Sequence, residues 1–229
     1  MKLDSAPQML GVDGYMSEVG LEKRLRDLRI FRIFEGTNDI LRLFIALSGL
    51  QFAGNNLRQI VKNVTKNPLA HPDLIVKEGK KRTLRLLGVN SSGAGLESVV
   101  HPDLRTSAKK IGKAVDSFGV GSEIMLRKYG KGVVDEQFRL KRIADCLIDL
   151  YASACVLARA SKAIEEGTST ADHQTMMTRL WCDAAYDRIM DNLAAIEGKN
   201  GEVNFVRMKE ISENVVAAGG VVQNHPVGV

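Results

Sequence analysis

One glutamate, Glu35, stands between an apolar run and the expected start of a helix. Ile33 and Phe34 precede it, and apolar neighbours that exclude water make a carboxylate a better proton acceptor. Thr37 is suited to cap the following helix, and Asp39 suits the positive end of the helix dipole. The pattern predicts proton removal by Glu35. A glutamate before a helix can also serve only to stabilise that helix, and these few residues alone leave both interpretations open.

The longer stretch Arg26–Leu43, RDLRIFRIFEGTNDILRL, resembles the catalytic-base segment of the acyl-CoA dehydrogenase family, most closely its very-long-chain branch. The resemblance implies that Glu35 removes the α-proton of an acyl-CoA thioester, while the β-hydrogen passes as a hydride to flavin N5. The product is a trans-2-enoyl-CoA. The Glu35 N–H and a flavin ribityl hydroxyl would polarise the thioester carbonyl. Gly36 would line the substrate channel. FAD, whose phosphates suit a helix N-terminus, would contact Thr37, Asn38 and Asp39.

An upstream stretch, Gln8–Tyr15 with the sequence QMLGVDGY, resembles the family's Gln-x-x-Gly-Gly-x-Gly-aromatic turn. Val12 stands where the family usually has its second glycine. Because valine resists positive φ, this departure bears on the backbone conformation of the turn where it faces the flavin. Without the resemblance, Gly11 and Gly14 indicate only a loop. By the resemblance, the residues that contact the FAD of a neighbouring subunit are Gln8, Met9, Leu10, Gly11 and Val12.

No strand-rich stretch is present, and apolar residues recur at three-to-four spacing along most of the chain, which predicts an all-α fold. Residues 37 to about 50 form one predicted helix. Four later apolar faces need a shared interior and predict a second helical bundle. The faces are Ile111, Val115, Phe118 and Met125 in 102–128; Leu140, Ala144, Leu147, Tyr151, Ala154 and Ala158 in 134–166; Met177, Leu180, Trp181, Ala184 and Ile189 in 171–197; and Met208, Ile211 and Val215 in 206–217.

The predicted domains combine this pattern with the resemblance. The resemblance implies that residues 1–54 are the end of the four-helix bundle of the catalytic domain, while 55–101 are a predicted linker and 102–229 the predicted second bundle. The family also has an N-terminal helical domain and a middle β domain, for which we find no counterpart. Residues 1–7 do not resemble the helix expected before Gln8. We therefore expect the carboxyl-terminal part of an enzyme, cut inside its catalytic bundle and inactive alone. Its mitochondrial targeting segment is expected in the missing part.

The stretch Leu57–Leu87 carries eight basic residues against two acidic ones, while the whole chain has a net charge of +5. Interleaved leucines make it a basic amphipathic segment, which suits an anionic membrane surface. The resemblance implies attachment to cardiolipin-containing membrane on the matrix face of the mitochondrial inner membrane. Nucleic-acid binding is disfavoured because the segment has no aromatic residue for base stacking. A solvated helix remains an alternative. The predicted membrane contacts are Lys80, Lys81, Arg82 and Arg85.

The three cysteines, Cys146, Cys155 and Cys182, form no Cys-x-x-Cys pair, and the first two are too far apart along one predicted helix to bond. They are predicted to be buried thiols in a reducing compartment. Histidines and cysteines show no metal-ligand spacing, so no metal site is predicted.

Two classes of function remain open from the sequence. The first is an FAD-dependent dehydrogenase, for which the resemblance implies an acyl-CoA substrate, electron-transfer flavoprotein as electron acceptor, and a homodimer. The second is a non-catalytic helical module for dimerisation, membrane attachment or assembly of respiratory complex I.

Overall fold

The computed structural model describes residues 2–66 and 95–223, and every regular element in these ranges is helical, which confirms the all-α class. Two compact units are present, Met1–Ile45 and Ala46–Val229. The predicted domain end at residue 54 is a different boundary and stays a prediction. The helices are α1 Lys2–Met9, α2 Val12–Tyr15, α3 Leu21–Arg29, α4 Asn38–Lys66, α5 Arg105–Tyr129, α6 Gln137–Glu165, α7 Ala171–Glu197 and α8 Lys199–Ala217.

The first unit begins with a helix, α1, although residues 1–7 do not resemble the helix expected before Gln8. Pro7 removes one backbone hydrogen-bond donor from α1. Packing of α1 against α2 compensates for this loss. Gly14 of α2 is buried, and a Cβ at this position would lie 2.0 Å from the Pro7 carbonyl oxygen. Gly14 therefore allows α2 to pack directly against the α1 backbone, a function that a loop interpretation of the glycine missed.

Helix α4 continues to Lys66, well past the predicted end near Leu50, and enters the range predicted to be a linker. No proline interrupts the chain between its start and Pro68, and a helix with no breaker can propagate one hydrogen bond per residue. Gly49 gives close packing inside the second unit, because a Cβ there would lie 3.2 Å from Leu147 Cδ1.

In the second unit, α6 and α7 pack antiparallel and α5 packs against both. Three contacts fix the register of α6 and α7. Cys146 Sγ lies 3.8 Å from the Ile189 carbonyl oxygen. Arg188 donates to both carboxylate oxygens of Asp149, at 2.7 and 2.9 Å. Trp181 Nε1 donates to Ser153 Oγ at 3.3 Å. Since residue numbers fall on α7 as they rise on α6, the two helices run in opposite directions.

The interior of this bundle differs from the predicted faces. On α5, Ile111 and Met125 are buried as predicted. On α6, however, Tyr151, Ala154 and Ala158 are exposed, and on α7 Met177 and Leu180 are exposed. Small residues make the close contact instead, since short side chains let helix axes approach. Ser153 Oγ donates to the Asp149 carbonyl of its own helix at 2.7 Å, and Thr178 Oγ1 donates across to the Val156 carbonyl of α6 at 3.5 Å. These small buried residues are Ser153, Ala160, Ser161, Thr178, Cys182 and Ala185.

Helix α8 is held at its N-terminal end, and its predicted face of Met208, Ile211 and Val215 is exposed rather than interior. This apolar face extends beyond the part of α8 that contacts the bundle. Phe205 is buried, and its ring centroid lies 4.5 Å from the guanidinium carbon of Arg139. Glu202 pairs with Lys128 at 2.5 Å and reaches Arg139 at 3.9 Å. The Lys128 hydrogen bond holds the pKa of Glu202 below its ordinary value.

Two cysteines are buried as predicted, Cys146 and Cys182, whereas Cys155 is exposed, so the prediction is wrong for Cys155. Burial raises the pKa of Cys146 to about 12 and that of Cys182 to about 11. Because the thiolate is the nucleophile, both buried thiols should react slowly.

We expect N-ethylmaleimide to label one cysteine of the native chain at neutral pH and all three after unfolding in guanidinium. The native Cys155→Ser variant should remain unlabelled by intact-mass spectrometry. Two or three rapid labels on the native wild-type chain would show that Cys146 or Cys182 is accessible.

In the described part of the chain, no helix is both long and apolar enough to cross a membrane. The residues predicted to contact a membrane surface, Lys80, Lys81, Arg82 and Arg85, lie outside the described residues.

Candidate active site

Glu35 lies in a tight turn just before α4. The 3₁₀ turn Ile30–Arg32 precedes it, and the Phe34 N–H donates to the Ile30 carbonyl at 3.1 Å. Glu35 has φ of 56°, the one positive φ at a non-glycine residue in the described ranges. This conformation costs about 1–2 kcal/mol for a residue with a Cβ. Backbone strain of this kind concentrates at functional sites, and here it falls on the residue predicted to be the base.

Gly36 continues the left-handed turn with φ of 114°. Residues with a side chain rarely adopt this conformation, whatever space surrounds them. Space is not the constraint, because a Cβ at Gly36 would make only an ordinary contact, 3.4 Å from Leu41 Cδ2. Gly36 is therefore needed for its backbone conformation, which lets the chain turn from Glu35 directly into α4. The predicted contact of Gly36 with substrate stays a prediction.

Thr37 caps α4, as the sequence predicted. Its Oγ1 accepts a long hydrogen bond, 3.5 Å, from the Ile40 N–H, and its carbonyl accepts from the Leu41 N–H at 2.9 Å. Asn38 and Asp39 form the first turn. The 29-residue helix, whose N-terminus is its positive end, thus begins three residues after Glu35. Such a terminus can bind an anionic group through its free amides.

The predicted desolvation of Glu35 is not found within this chain. The Glu35 side chain is exposed, and its neighbours Ile33 and Phe34 are 60% and 43% exposed. Phe31 and Phe34 pack edge to face, with centroids 5.2 Å apart, but they contact each other rather than cover the carboxylate. No described residue covers the site, so exclusion of water from Glu35 requires another surface.

The second candidate segment, Gln8–Val12, joins α1 to α2 and is exposed throughout. The Gly11 N–H donates to the Gln8 carbonyl at 3.3 Å. Gly11 carries the positive φ, 58°, and Val12 is the first residue of α2. Valine at position 12 therefore causes no backbone strain, although the family usually has glycine there. Among the described residues, no hydrogen bond, ion pair or ring contact joins this segment to Glu35–Asp39.

Two family models match the chain. Residues 102–221, more than half of it, match the model described as "ACAD9/ACADV, C-terminal domain". Residues 3–50, which contain the Glu35 turn and both candidate segments, match "Acyl-CoA dehydrogenase, C-terminal domain". The chain belongs to the acyl-CoA dehydrogenase family.

Curated relatives match along nearly the whole chain. The mitochondrial very long-chain specific acyl-CoA dehydrogenase of Rattus norvegicus is 43% identical over 227 residues, which are 99% of this chain and 34% of the rat protein. The Homo sapiens protein of the same name is also 43% identical, over 98% of this chain and 34% of the relative. The chain thus spans about a third of the length of these relatives.

A solved structure shares the fold. It is an acyl-CoA dehydrogenase from Bacillus anthracis complexed with FAD, with a TM-score of 0.63 and 24% sequence identity over 91% of this chain and 33% of that one. At this identity, the likeness supports the helical fold and no more.

Proposed function

We propose that this chain supplies the catalytic base of an FAD-dependent acyl-CoA dehydrogenase that converts long-chain acyl-CoA to trans-2-enoyl-CoA in mitochondrial fatty acid β-oxidation. The observation that carries the proposal is the left-handed turn at Glu35 and Gly36, directly before the Thr37-capped helix and inside the segment that matches the family model. Strain at one carboxylate, beside a helix N-terminus, suits a base that acts near an anionic cofactor.

In the proposed reaction, the Glu35 carboxylate takes the α-proton of the thioester, and the electrons of that C–H bond form the new α,β double bond. The β-hydrogen leaves with its electron pair, and FAD, when bound, supplies the acceptor for this hydride. The Glu35 N–H donates to the thioester carbonyl, where negative charge develops as the proton leaves. A carboxylate in this role needs to be near the α-carbon and shielded from water.

Two places among the described residues offer groups that suit FAD. Thr37, Asn38 and Asp39 offer the amides of the α4 N-terminus to a phosphate or another polar group. The exposed turn Gln8–Val12 offers backbone groups around Gly11, where the absence of a Cβ lets a ligand approach closely. We propose that this turn binds the FAD of a neighbouring subunit in a homodimer.

The proposal for the whole protein follows its relatives. The names of the 43% identical proteins favour very-long-chain acyl-CoA as substrate and a mitochondrial location. The family model for residues 102–221 names two branches together, so it does not choose between dehydrogenase and non-catalytic module. Electron-transfer flavoprotein is the proposed electron acceptor, and the matrix face of the inner membrane is the proposed site of action.

By itself, the chain should be colourless and inactive. Glu35, Gln8–Val12 and the apolar side chains around them are exposed, so the residues that the structure describes form no closed site that could retain a flavin or exclude water. After expression and incubation with excess FAD, desalted chain should show no absorbance near 450 nm and no oxidation of palmitoyl-CoA. Stoichiometric flavin or measurable turnover would contradict this prediction.

We also propose that Leu57–Leu87 attaches the protein to anionic membranes, supported by its basic composition. Each Lys or Arg near such a surface contributes about 1 kcal/mol, and salt screens the attraction.

Changing Lys80, Lys81, Arg82 and Arg85 to Gln should reduce co-sedimentation with cardiolipin vesicles at least about tenfold, without altering thermal unfolding. The control changes four exposed basic residues of the second bundle, Lys109, Lys113, Arg127 and Lys131, to Gln. Equal binding to phosphatidylcholine vesicles, or an equal loss in the control, would exclude the proposed segment.

A further inference from the structure

A cavity of about 460 Å³ lies in the second unit, where α7 ends and α8 begins. Helix α6 contributes Arg142 to its wall. The remaining wall is largely apolar and includes Ala194, Ala195, Phe205 and Met208. Protein pockets that bind small molecules have volumes of about 300–1,000 Å³, apolar walls and a few polar groups that orient the ligand. This cavity has that composition.

Arg142 is half-buried, and its side-chain hydrogen bond goes to a neutral group. Its Nη1 donates to the neutral Asn192 amide oxygen at 2.9 Å, and its guanidinium carbon lies 5.6 Å from the Phe205 ring centroid. Arg139, one turn earlier on the same helix, is neutralised by Glu136 and Glu202. A guanidinium has five N–H donors, so Arg142 retains donors for a further acceptor. A half-buried cation beside an apolar cavity favours an anionic ligand.

The N-terminus of α8 lies at the same cavity, beside the last turn of α7. Its N-cap, Gly198, has no side chain to accept a hydrogen bond, and the Glu202 N–H makes the first bond along the helix, to the Gly198 carbonyl at 3.1 Å. The N–H groups of Lys199 and Gly201 therefore have no partner within the helix, and both residues line the cavity. The Lys199 side chain supplies a second cation. Free amides at the start of a 19-residue helix suit a carboxylate.

We propose that this cavity binds the carboxylate of an aliphatic acid of medium chain length, with the anion near Arg142 and the α8 N-terminus. The aliphatic chain lies along Ala194, Phe205 and Met208, where it is partly removed from water. The site uses none of the residues assigned to dehydrogenation, and it goes beyond the proposed function. It lies wholly in the second helical bundle, for which catalysis offers no role.

The test is isothermal titration calorimetry of the full chain with dodecanoate, held below its micelle concentration. We expect one equivalent to bind saturably. Arg142→Met keeps a long side chain against Phe205 but removes the charge, and should weaken binding at least about tenfold, because hydrogen bonds to charged groups carry that much affinity. The matched control is Arg159→Met. Arg159 also joins α6 to α7 through a neutral amide, with its Nε 3.3 Å from Gln174 Oε1, and it does not line the cavity. This variant should bind within twofold of wild type.

Two further measurements test the charge of the ligand and the filling of the cavity separately, the second with a check that the variant is folded. Dodecyltrimethylammonium, with the same chain length and opposite charge, should not bind. Ala194→Phe fills the cavity from an exposed helix position and leaves the Arg142–Asn192 bond intact, so it should abolish dodecanoate binding while the helical circular dichroism is unchanged. The proposal is overturned by any one of four results: no saturable binding of dodecanoate, undiminished binding by Arg142→Met, equal binding of the cationic amphiphile, or undiminished binding by the folded Ala194→Phe chain.

Discussion

Replacing Glu35 with Gln should lower the rate of acyl-CoA dehydrogenation by about 10²–10⁴-fold, the range that loss of a general base produces. The experiment uses a chimera in which this chain replaces the matching third of the rat very long-chain specific acyl-CoA dehydrogenase, to which 99% of it aligns. Gln keeps the size of the side chain and its backbone N–H, but it cannot accept the α-proton. Flavin content and melting temperature should therefore match those of the unmodified chimera.

The control for this prediction is Glu18→Gln in the same chimera. Glu18 is an exposed carboxylate of the first unit with no assigned role, and its variant should remain within twofold of the unmodified rate. The assignment of Glu35 would be wrong if its variant kept more than a tenth of the activity, or if both variants lost activity equally.

Replacing Gly201 with Ala should destabilise the second bundle by about 2–3 kcal/mol, near the upper end of the usual overpacking penalty. A Cβ at this position would lie 1.8 Å from the backbone carbonyl oxygen of Ala195, so α8 would have to move away from the end of α7. Backbone atoms cannot rotate away as a flexible side chain can, and the strain has to be relieved by displacement of a helix.

The same chemical change at Gly119 provides a matched control. Gly119 lies inside α5, where a new Cβ would have no atom within 4 Å, and alanine in an exposed helix is favoured over glycine by about 0.5–1 kcal/mol. Thermal unfolding followed by circular dichroism should show a lower melting temperature for Gly201→Ala, by about 5–10 °C, and a slightly higher one for Gly119→Ala. Equal melting temperatures would contradict the close packing of α8 on α7.

The sequence could predict the elements around Glu35 because local residues determine them. Thr37 caps α4 through its own side chain, and the apolar spacing after it is helical for as long as no proline intervenes. The left-handed backbone at Glu35 could not be predicted, because glutamate has no preference for positive φ. The sequence indicated a left-handed turn only through Gly36, directly after Glu35, because glycine adopts positive φ readily. The exposure of Glu35 depends on which other surfaces cover the turn. The spacing of apolar residues along the chain does not predict those surfaces.

The interior of the second bundle was harder to predict for a different reason. Hydrophobic spacing gives most weight to large side chains, so Tyr151 and Leu180 were assigned to the core, whereas Ser153 and Thr178 were not. The helices pack through the small residues, whose hydroxyl and thiol groups bond to helix carbonyls or bury readily. Beside Asp145 and Asp149, Arg142 indicated only a solvated or salt-bridged face, because the cavity that it lines is formed with α7 and α8, far along the chain.

Exchange of the substrate's α-proton with solvent tests the central claim, that the Glu35 carboxylate is the base, most directly. A 3-thia-acyl-CoA has sulfur in place of the β-carbon, so no hydride can leave and proton removal is observed alone. In deuterium oxide, the chimera should incorporate deuterium at the α-carbon, as measured by proton NMR. Glu35→Gln should reduce the exchange rate at least about 10²-fold. Exchange by Glu35→Gln within tenfold of the unmodified rate, at equal FAD content, would contradict the account.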